Sequence, residues 1–492
     1  MAADKRDLDE SVGLFLNGTR SESSSETTVE VIDPSCGRRR CVIAAGCELD
    51  VERAVADARQ AFEDGRWSAA LPSVRKKTLQ TFADLIERNA AALDALDGGE
   101  MGKPIREAFA NAAAAASLMR FYAEAIDKLT GDVYGSDAHS FVMQRRVPRG
   151  VVAAVVPWNF PTFVAVLKLA PALAAGNCVV LKPSELSSRS AIRLAELAME
   201  AGLPPGVFNV TPGLGEIVGR ALGLHPDVDM MTFTGSTAVG KRMLQYAGQS
   251  NMKVVMTECG GKSPQIVFAD DVDLDAAAQR IAQSLLVNQG QVCSVGSRLL
   301  VQQDIEMPLL QRVTAQLGGI VMGNALDPRT TFGPLASAEQ CARVMRHIDG
   351  ARAQGAELVS GGRRVMQESG GWFVEPTVFR AVAATSCIAQ EEIFGPVLSV
   401  IPFRDEAEAI QIANSTMYGL VAYVWTSSLS TGMRMIKGIR SSVFVNAAAP
   451  LGEGAGHAAS SEPARQSGIG AEGGLAGMEN YLRRQLVSFS HA

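Results

Sequence analysis

The sequence predicts an α/β protein made of two doubly wound α/β domains with a small β extension for oligomerisation. Three observations carry that prediction. Short apolar, β-branched runs alternate with helical stretches from Gly150, and again from about Val272 to Val445. The chain has 492 residues, too many for one ordinary core. Glycine occurs 47 times, as many tight strand-to-helix junctions require.

Residues 11–33 read as an exposed strand and turn region, with Asn17-Gly18 in "FLNGTR" as a hairpin signal. Helical patterning dominates from about Asp50 to Leu129, with Asp50 as a candidate N-cap. From Gly150 the texture changes. "GVVAAVVPWNF" is a continuous apolar run, as a parallel strand buried on both faces should be. "NCVVLKPS", "VFNVTPG", "MMTFTGS" and "KVVMTECGGKSPQIVF" continue the series, and "SRLLVQ", "LSVIPF", "AYVWTS" and "SVFVN" form the second. The tail "NYLRRQLVSFS" has strand character suited to a partner subunit's sheet edge. The expected division is one unit of residues 1–130 and 150–260, a second of 261–477, and oligomerisation strands in 131–149 and 478–492.

A net charge of −6 argues against bulk attraction to nucleic acid or anionic membrane, and Arg38–Arg40 reads as a solvated turn. No apolar run approaches the roughly 20 residues that span a bilayer. The N-terminal "MAADKRDLDESVG" has no apolar core, so no signal peptide is expected. The eight cysteines are scattered and form no C-x-x-C pair, which points away from zinc or disulfides and toward a reducing cytoplasm.

In open parallel sheets, ligands bind outside the carboxyl ends of the strands. The loops there are "PWNFP" (157–161), "KPSE" (182–185), "FTGST" (233–237) and "ECGGKSP" (258–264). "GLGEIVG" places Gly213, Gly215 and Gly219 one residue off the dinucleotide fingerprint, a weak match. "FTGST" is the better phosphate cradle: Gly235 permits close backbone approach, and Ser236 can cap a helix whose N-terminus faces an anion. An ordinary strand-to-helix turn fits that stretch equally well. "NQGQVCS" sets Cys293 in a glycine- and glutamine-rich run without a nearby histidine.

These motifs, followed by "EEIFGPV" (391–397), occur in an order that resembles the aldehyde dehydrogenase superfamily from about residue 15 onward. The resemblance implies that Cys293 is the nucleophile, Asn159 the oxyanion donor and Glu258 the base that activates water and helps deprotonate Cys293. Lys168 joins the catalytic set. It also implies an NAD contact surface of Pro157, Trp158, Lys182, Ser184, Glu185, Gly215, Phe233, Gly235, Ser236, Glu392 and Phe394. Lys182 and Glu185 would meet the adenosine ribose, where a carboxylate repels a 2′-phosphate, so NAD is favoured with NADP as the alternative. Glu392 and Phe394 would clamp the nicotinamide ribose. The first unit would then bind cofactor and the second catalyse. A homodimer or homotetramer with no metal is expected.

Phe160, Val164, Leu167 and Val292 would line the substrate pocket. Leu167 stands where the family commonly has tryptophan, which predicts an aldehyde bulkier than acetaldehyde. "LGEGAGHAASSEPARQSG" (451–468) replaces a Pro-Phe-Gly-Gly segment and reads as a flexible loop near the entrance. Cys259 follows the base where leucine or alanine is commoner. The surrounding stretch is similar to members that oxidise ω-amino or γ-glutamylamino aldehydes. Glu258 favours hydrolysis of the acyl group over transfer to coenzyme A, since acyl-CoA-forming members lack it. A cysteine esterase or amidase is the rival class. It would need a histidine, and His139, His225, His347, His457 and His491 all lie outside the motifs.

Overall fold

The computed structural model describes residues 11–137, 139–447 and 454–490. Two large sheets dominate it. The first has eight strands in the order Gly468–Ile469, Val254–Glu258, Met230–Thr234, Val151–Val155, Cys178–Lys182, Phe208–Val210, Leu14–Leu16 and Thr19–Ser21. Val151–Val155 pairs in parallel with both Cys178–Lys182 and Met230–Thr234. The chain winds outward from it in both directions, so the switch point falls between Val151–Val155 and Met230–Thr234. "PWNFP" and "FTGST" leave the carboxyl ends of those two strands, the place where this architecture binds ligands.

The second sheet has seven strands in the order Glu357–Ser360, Thr377–Arg380, Val397–Phe403, Arg298–Gln302, Pro264–Val267, Val421–Trp425 and Ser442–Val445. It starts at Pro264, earlier than the expected Val272. Only residues 259–263 separate the carboxyl end of Val254–Glu258 from the amino end of Pro264–Val267. The two sheets therefore meet end to end at "CGGKS". A third sheet joins Asp132–Val133, Ser140–Pro148 and Leu482–Ser490. The tail pairs with its own chain over nine positions, Leu482↔Pro148 through Ser490↔Ser140.

Several local expectations are corrected. Asn17 and Gly18 do form the hairpin turn, both with positive φ, but Leu14, Phe15 and Leu16 are buried, not exposed. Cys47 is the N-cap of helix Glu48–Glu63. Asp50 sits at its third position and accepts the Cys47 N–H at 3.1 Å. Arg38–Arg40 begins strand Arg38–Ala44 and is not a turn. "EEIFGP" is a loop after the short helix Cys387–Gln390, not a helix end. The range 261–477 also contains Gly468–Ile469, which pairs with Thr257 and Glu258 and so belongs to the first sheet. Among the described residues no helix is long and apolar enough to cross a membrane.

Candidate active site

Asn159 and Cys293 are brought together by a loop of unusual backbone. Asn288, Gln289 and Gly290 all have positive φ (46°, 56° and 71°). Two non-glycine residues there cost about 1–3 kcal/mol each, so the surroundings must hold them. Asn288 Nδ2 donates to the Asn159 carbonyl at 2.9 Å, and the Ala336 N–H donates to Gln291 Oε1 at 2.9 Å. Gly290 lies so close to Gly395 that a Cβ would meet its carbonyl at 2.5 Å. Asn159 Nδ2 donates to the Gln291 carbonyl at 3.0 Å. One amide hydrogen thus fixes the side chain and leaves the other free to hold an oxyanion beside Cys293.

The Cys293 thiol is pushed up by burial and by the charges of Glu258, Glu392 and Glu472. A hydrogen bond from the Ser294 backbone opposes the rise. Cys293 is the protonated thiol in this arrangement, and its base must be local. Glu258 ends strand Val254–Glu258 and is raised well above its ordinary value by burial and by Glu472, against the pull of Lys168. Lys168 is 1% exposed and forms an ion pair with Glu472. A carboxylate lifted in this way keeps a proton more readily than a solvated one, which suits it to take and pass on protons as a general base does.

Helix Pro161–Ala174 explains why Val164, Leu167 and Lys168 act together. At spacings of three and four they share one helical face. Phe160 is buried and meets Phe109 edge-on at 5.5 Å. Val292 is buried beside Cys293 in sequence. The sequence reading missed the wall on the other side: Cys293 packs with Leu420, Val421, Tyr423 and Phe444. Tyr423 Oη donates to the Ser294 carbonyl at 3.0 Å and stacks on Phe444 at 5.9 Å.

It also missed Glu472. Residues 451–453 of the expected flexible loop lie outside the described residues, but the rest is anchored. His457 Nε2 lies 2.9 Å from Ser117 Oγ, and Ser461 and Glu472 exchange backbone hydrogen bonds of 2.9 and 2.8 Å. Ser467 is fully buried, accepts the Gly419 N–H at 3.0 Å and donates to the Gly260 carbonyl at 2.8 Å. This segment is a brace that delivers Glu472 to Lys168. No local spacing signals that, because the two residues are 304 positions apart.

On the cofactor side, Lys182 Nζ meets Glu185 Oε2 at 3.1 Å, and burial lowers the amine against the pull of that carboxylate. Ser184 Oγ accepts the Leu186 N–H at 3.3 Å, and Gly215 opens the turn Gly215–Gly219 beside Lys182. Ser236 caps helix Thr237–Gln249 by accepting the Val239 N–H at 3.4 Å. A Cβ at Gly235 would strike the Phe233 ring at 2.5 Å, and one at Gly260 would strike Glu392 Oε2 at 2.2 Å. The glycines therefore leave room for the Phe233 ring and the Glu392 carboxyl, two of the expected cofactor contacts. Pro157 and Trp158 are half-buried, and Trp158 meets Phe394 edge-on at 5.3 Å. Glu392 Oε1 accepts the Gly261 N–H at 3.1 Å. Burial lifts its carboxyl to about 7 against that bond and the cations Arg343 and Lys262. Gln340, absent from the sequence reading, donates to the Ile393 and Phe394 carbonyls at 3.1 and 2.7 Å, and Arg343 to that of Glu392 at 2.7 Å. Among the described residues no cluster of three or more histidine, cysteine or acidic side chains could hold a metal. Cys259 is buried against Gly240 and donates its N–H to the Ser467 carbonyl at 2.7 Å.

A buried thiol among carboxyl groups and an amide donor fixed nearby can together support covalent chemistry at a carbonyl carbon. The chain belongs to the aldehyde dehydrogenase family, whose model matches residues 20–487. It is 45% identical to the NADP/NAD-dependent aldehyde dehydrogenase PuuC of Escherichia coli, over 88% of this chain and 87% of that one. It is 42% identical to an aminoacetaldehyde dehydrogenase of Pseudomonas aeruginosa, over 87% and 86%. Its fold superposes with a TM-score of 0.94 on an indole-3-acetaldehyde dehydrogenase solved with NAD+, at 45% identity and 97% and 96% coverage.

Proposed function

We propose that the protein oxidises a bulky or amine-bearing aldehyde to the carboxylic acid, with NAD preferred over NADP. The observation that carries this reading is the convergence of Cys293, Asn159 and the paired Lys168–Glu472 around Glu258. Glu258 takes the thiol proton and the Cys293 sulfur bonds to the aldehyde carbon, pushing electrons onto oxygen. The free Asn159 amide hydrogen and the Cys293 N–H hold that oxygen. Bound NAD supplies the hydride acceptor through which the adduct becomes a thioester. Glu258 passes the thiol proton on to solvent and, ionised again, removes a proton from water; the resulting hydroxide adds to the thioester carbon, and the C–S bond breaks to free the acid and the thiolate. Lys182 and Glu185 would hold the adenosine ribose, and Glu392 and Phe394 the nicotinamide end.

Substrate size rests on Leu167, a partly exposed side chain on the pocket face of its helix, and on the aromatic wall of Tyr423 and Phe444. The relatives named for aminoacetaldehyde and indole-3-acetaldehyde support both arms. A panel of short aliphatic, ω-amino and indolyl aldehydes, followed at 340 nm with each cofactor, tests it. Highest activity on acetaldehyde would refute the bulky-substrate reading.

Residues 1–130 and 150–260, with Gly468–Ile469, would bind cofactor and 261–467 catalyse. A homodimer or homotetramer is the proposed assembly. Strand Leu482–Ser490 is an edge with Leu486 and Phe489 exposed, and Ser442–Val445 ends the second sheet beside exposed Leu429, Met433 and Ile436. Light scattering on a sizing column measures it, with a monomer as the refuting result. Eight unpaired cysteines support residence in a reducing cytoplasm.

A further inference from the structure

The segment that carries Asn159 begins a helix that cannot cap itself. Phe160 stands at the N-cap of helix Pro161–Ala174 and offers no side-chain acceptor, and Pro161 has no N–H. The first helical donor is therefore the Thr162 N–H, on a fully buried residue. A buried N–H needs an acceptor. Asp97, 65 positions earlier on helix Ala90–Met101 and itself 1% exposed, supplies one: its Oδ2 accepts that N–H at 3.1 Å. A carboxylate placed there also meets the positive end of the helix dipole.

The next turn of chain reaches the same segment again. Past the left-handed Gly102 (φ 89°), the buried Lys103 sets its ammonium 5.8 Å from the centre of the Phe160 ring. Gly102 also packs on residues 333–334. A Cβ on it would meet the Pro334 carbonyl at 2.6 Å, and one on Gly333 would meet the Gly102 carbonyl at 2.1 Å. Two residues past Pro334, the Ala336 N–H binds the Gln291 side chain, and the Gln291 carbonyl accepts Asn159 Nδ2. Residues 97–103 thus touch both the helix start behind Asn159 and the run behind its acceptor. We propose that Asp97 is a positioning residue for the reaction: through the Thr162 N–H it holds the Asn159 amide where an oxyanion forms at Cys293. This rests on the reading of Asn159 given above. The link from Thr162 back to Asn159 is short, and Pro161, with its fixed φ, stiffens it.

The test is a double-substitution cycle on the full chain, with one aldehyde from the panel above and with kcat and KM read separately. D97A should lower kcat about tenfold, because small misplacements of a catalytic group are costly, and leave the KM for NAD within about twofold. D97N keeps an acceptor oxygen for the Thr162 N–H and should restore kcat to within about threefold of the parent. In an N159A background, D97A should add less than about twofold, as two residues acting through one contact do. A comparable further loss there would overturn the proposal, since Asp97 would then act by another route. So would D97N no better than D97A, or D97A at the parental kcat. If D97A does not fold, D97S takes its place: its hydroxyl stops one bond short of the Thr162 N–H, and the same outcomes decide. N159A at the parental kcat would overturn the Asn159 assignment and the proposal with it.

Discussion

Two buried lysines flank the chemistry, and they are handled differently. Lys168 is ion-paired with Glu472 and acts on Glu258, the proposed base. Lys262 has no hydrogen-bond partner for its ammonium; Arg298 is the charge that acts on it most, and Glu392 the strongest opposing one. A paired lysine gives a steady field, whereas an unpaired one is free to respond when its surroundings change. On the proposed reading, the acyl side would hold its protonation fixed and the cofactor side would respond.

The largest expected effect isolates the acyl side. Cys293→Ala should remove roughly 10⁴-fold or more of the turnover while NAD titrates as in the parent, because Cys293 is not among the proposed cofactor contacts. Loss of NAD affinity in that variant would break the division between the two sides. Glu258→Gln should lower steady-state turnover by about 10²–10⁴-fold yet still release about one NADH per site in a slowed burst, since acylation can draw on the small thiolate fraction of Cys293 whereas deacylation needs the base to act on water. Full steady-state turnover would refute the assignment. Asn159→Ala should cost about 10²–10³-fold in kcat with a minor change in NAD affinity, as expected for one lost oxyanion donor.

Lys168→Met addresses the fixed field directly. Lys168 lowers the proton affinity of Glu258, so its removal lets the carboxyl keep a proton to higher pH. The base works only when ionised. Turnover at pH 7 should fall about tenfold and recover as pH rises, the acid limb moving to higher pH. An acid limb that stays in place would show that the Lys168–Glu472 pair serves only to anchor the brace.

The motif-bearing strands were legible because each is a continuous apolar run ending in polar residues and glycine. Val151–Val155 and Cys178–Lys182 are buried at every position. The family was legible only from an ordered set of motifs, among them those that hold Cys293, Asn159 and Glu258. The misses have physical causes. Asp50 looked like a cap because aspartate favours the first turn, yet Cys47 takes that place and Asp50 bonds back to it. Glu472 sits between glycines with no periodic cue, and its role comes from contacts with Lys168 and Ser461. Gly261 and Lys262 lay inside a recognised motif, but an orphaned amine is a property of packing that no spacing reveals. Tyr423 read as a core strand residue, which it is; only the fold shows that its hydroxyl ends at Ser294.

The smallest effect asks whether the pocket is independent of both sides. Leu167 shares a helical face with Val164 and Lys168, three residues from the former and adjacent to the latter. Leu167→Trp refills the space that the leucine leaves, without touching the lysine's charge. KM should rise about tenfold for an indolyl aldehyde, stay nearly constant for a short aliphatic one, and leave the acid limb of the pH profile in place. A shifted acid limb would mean that the indole disturbs Lys168. Pocket shape and the field on Glu258 would then be one property of this helix face, and the acyl side less rigid than its ion pair implies.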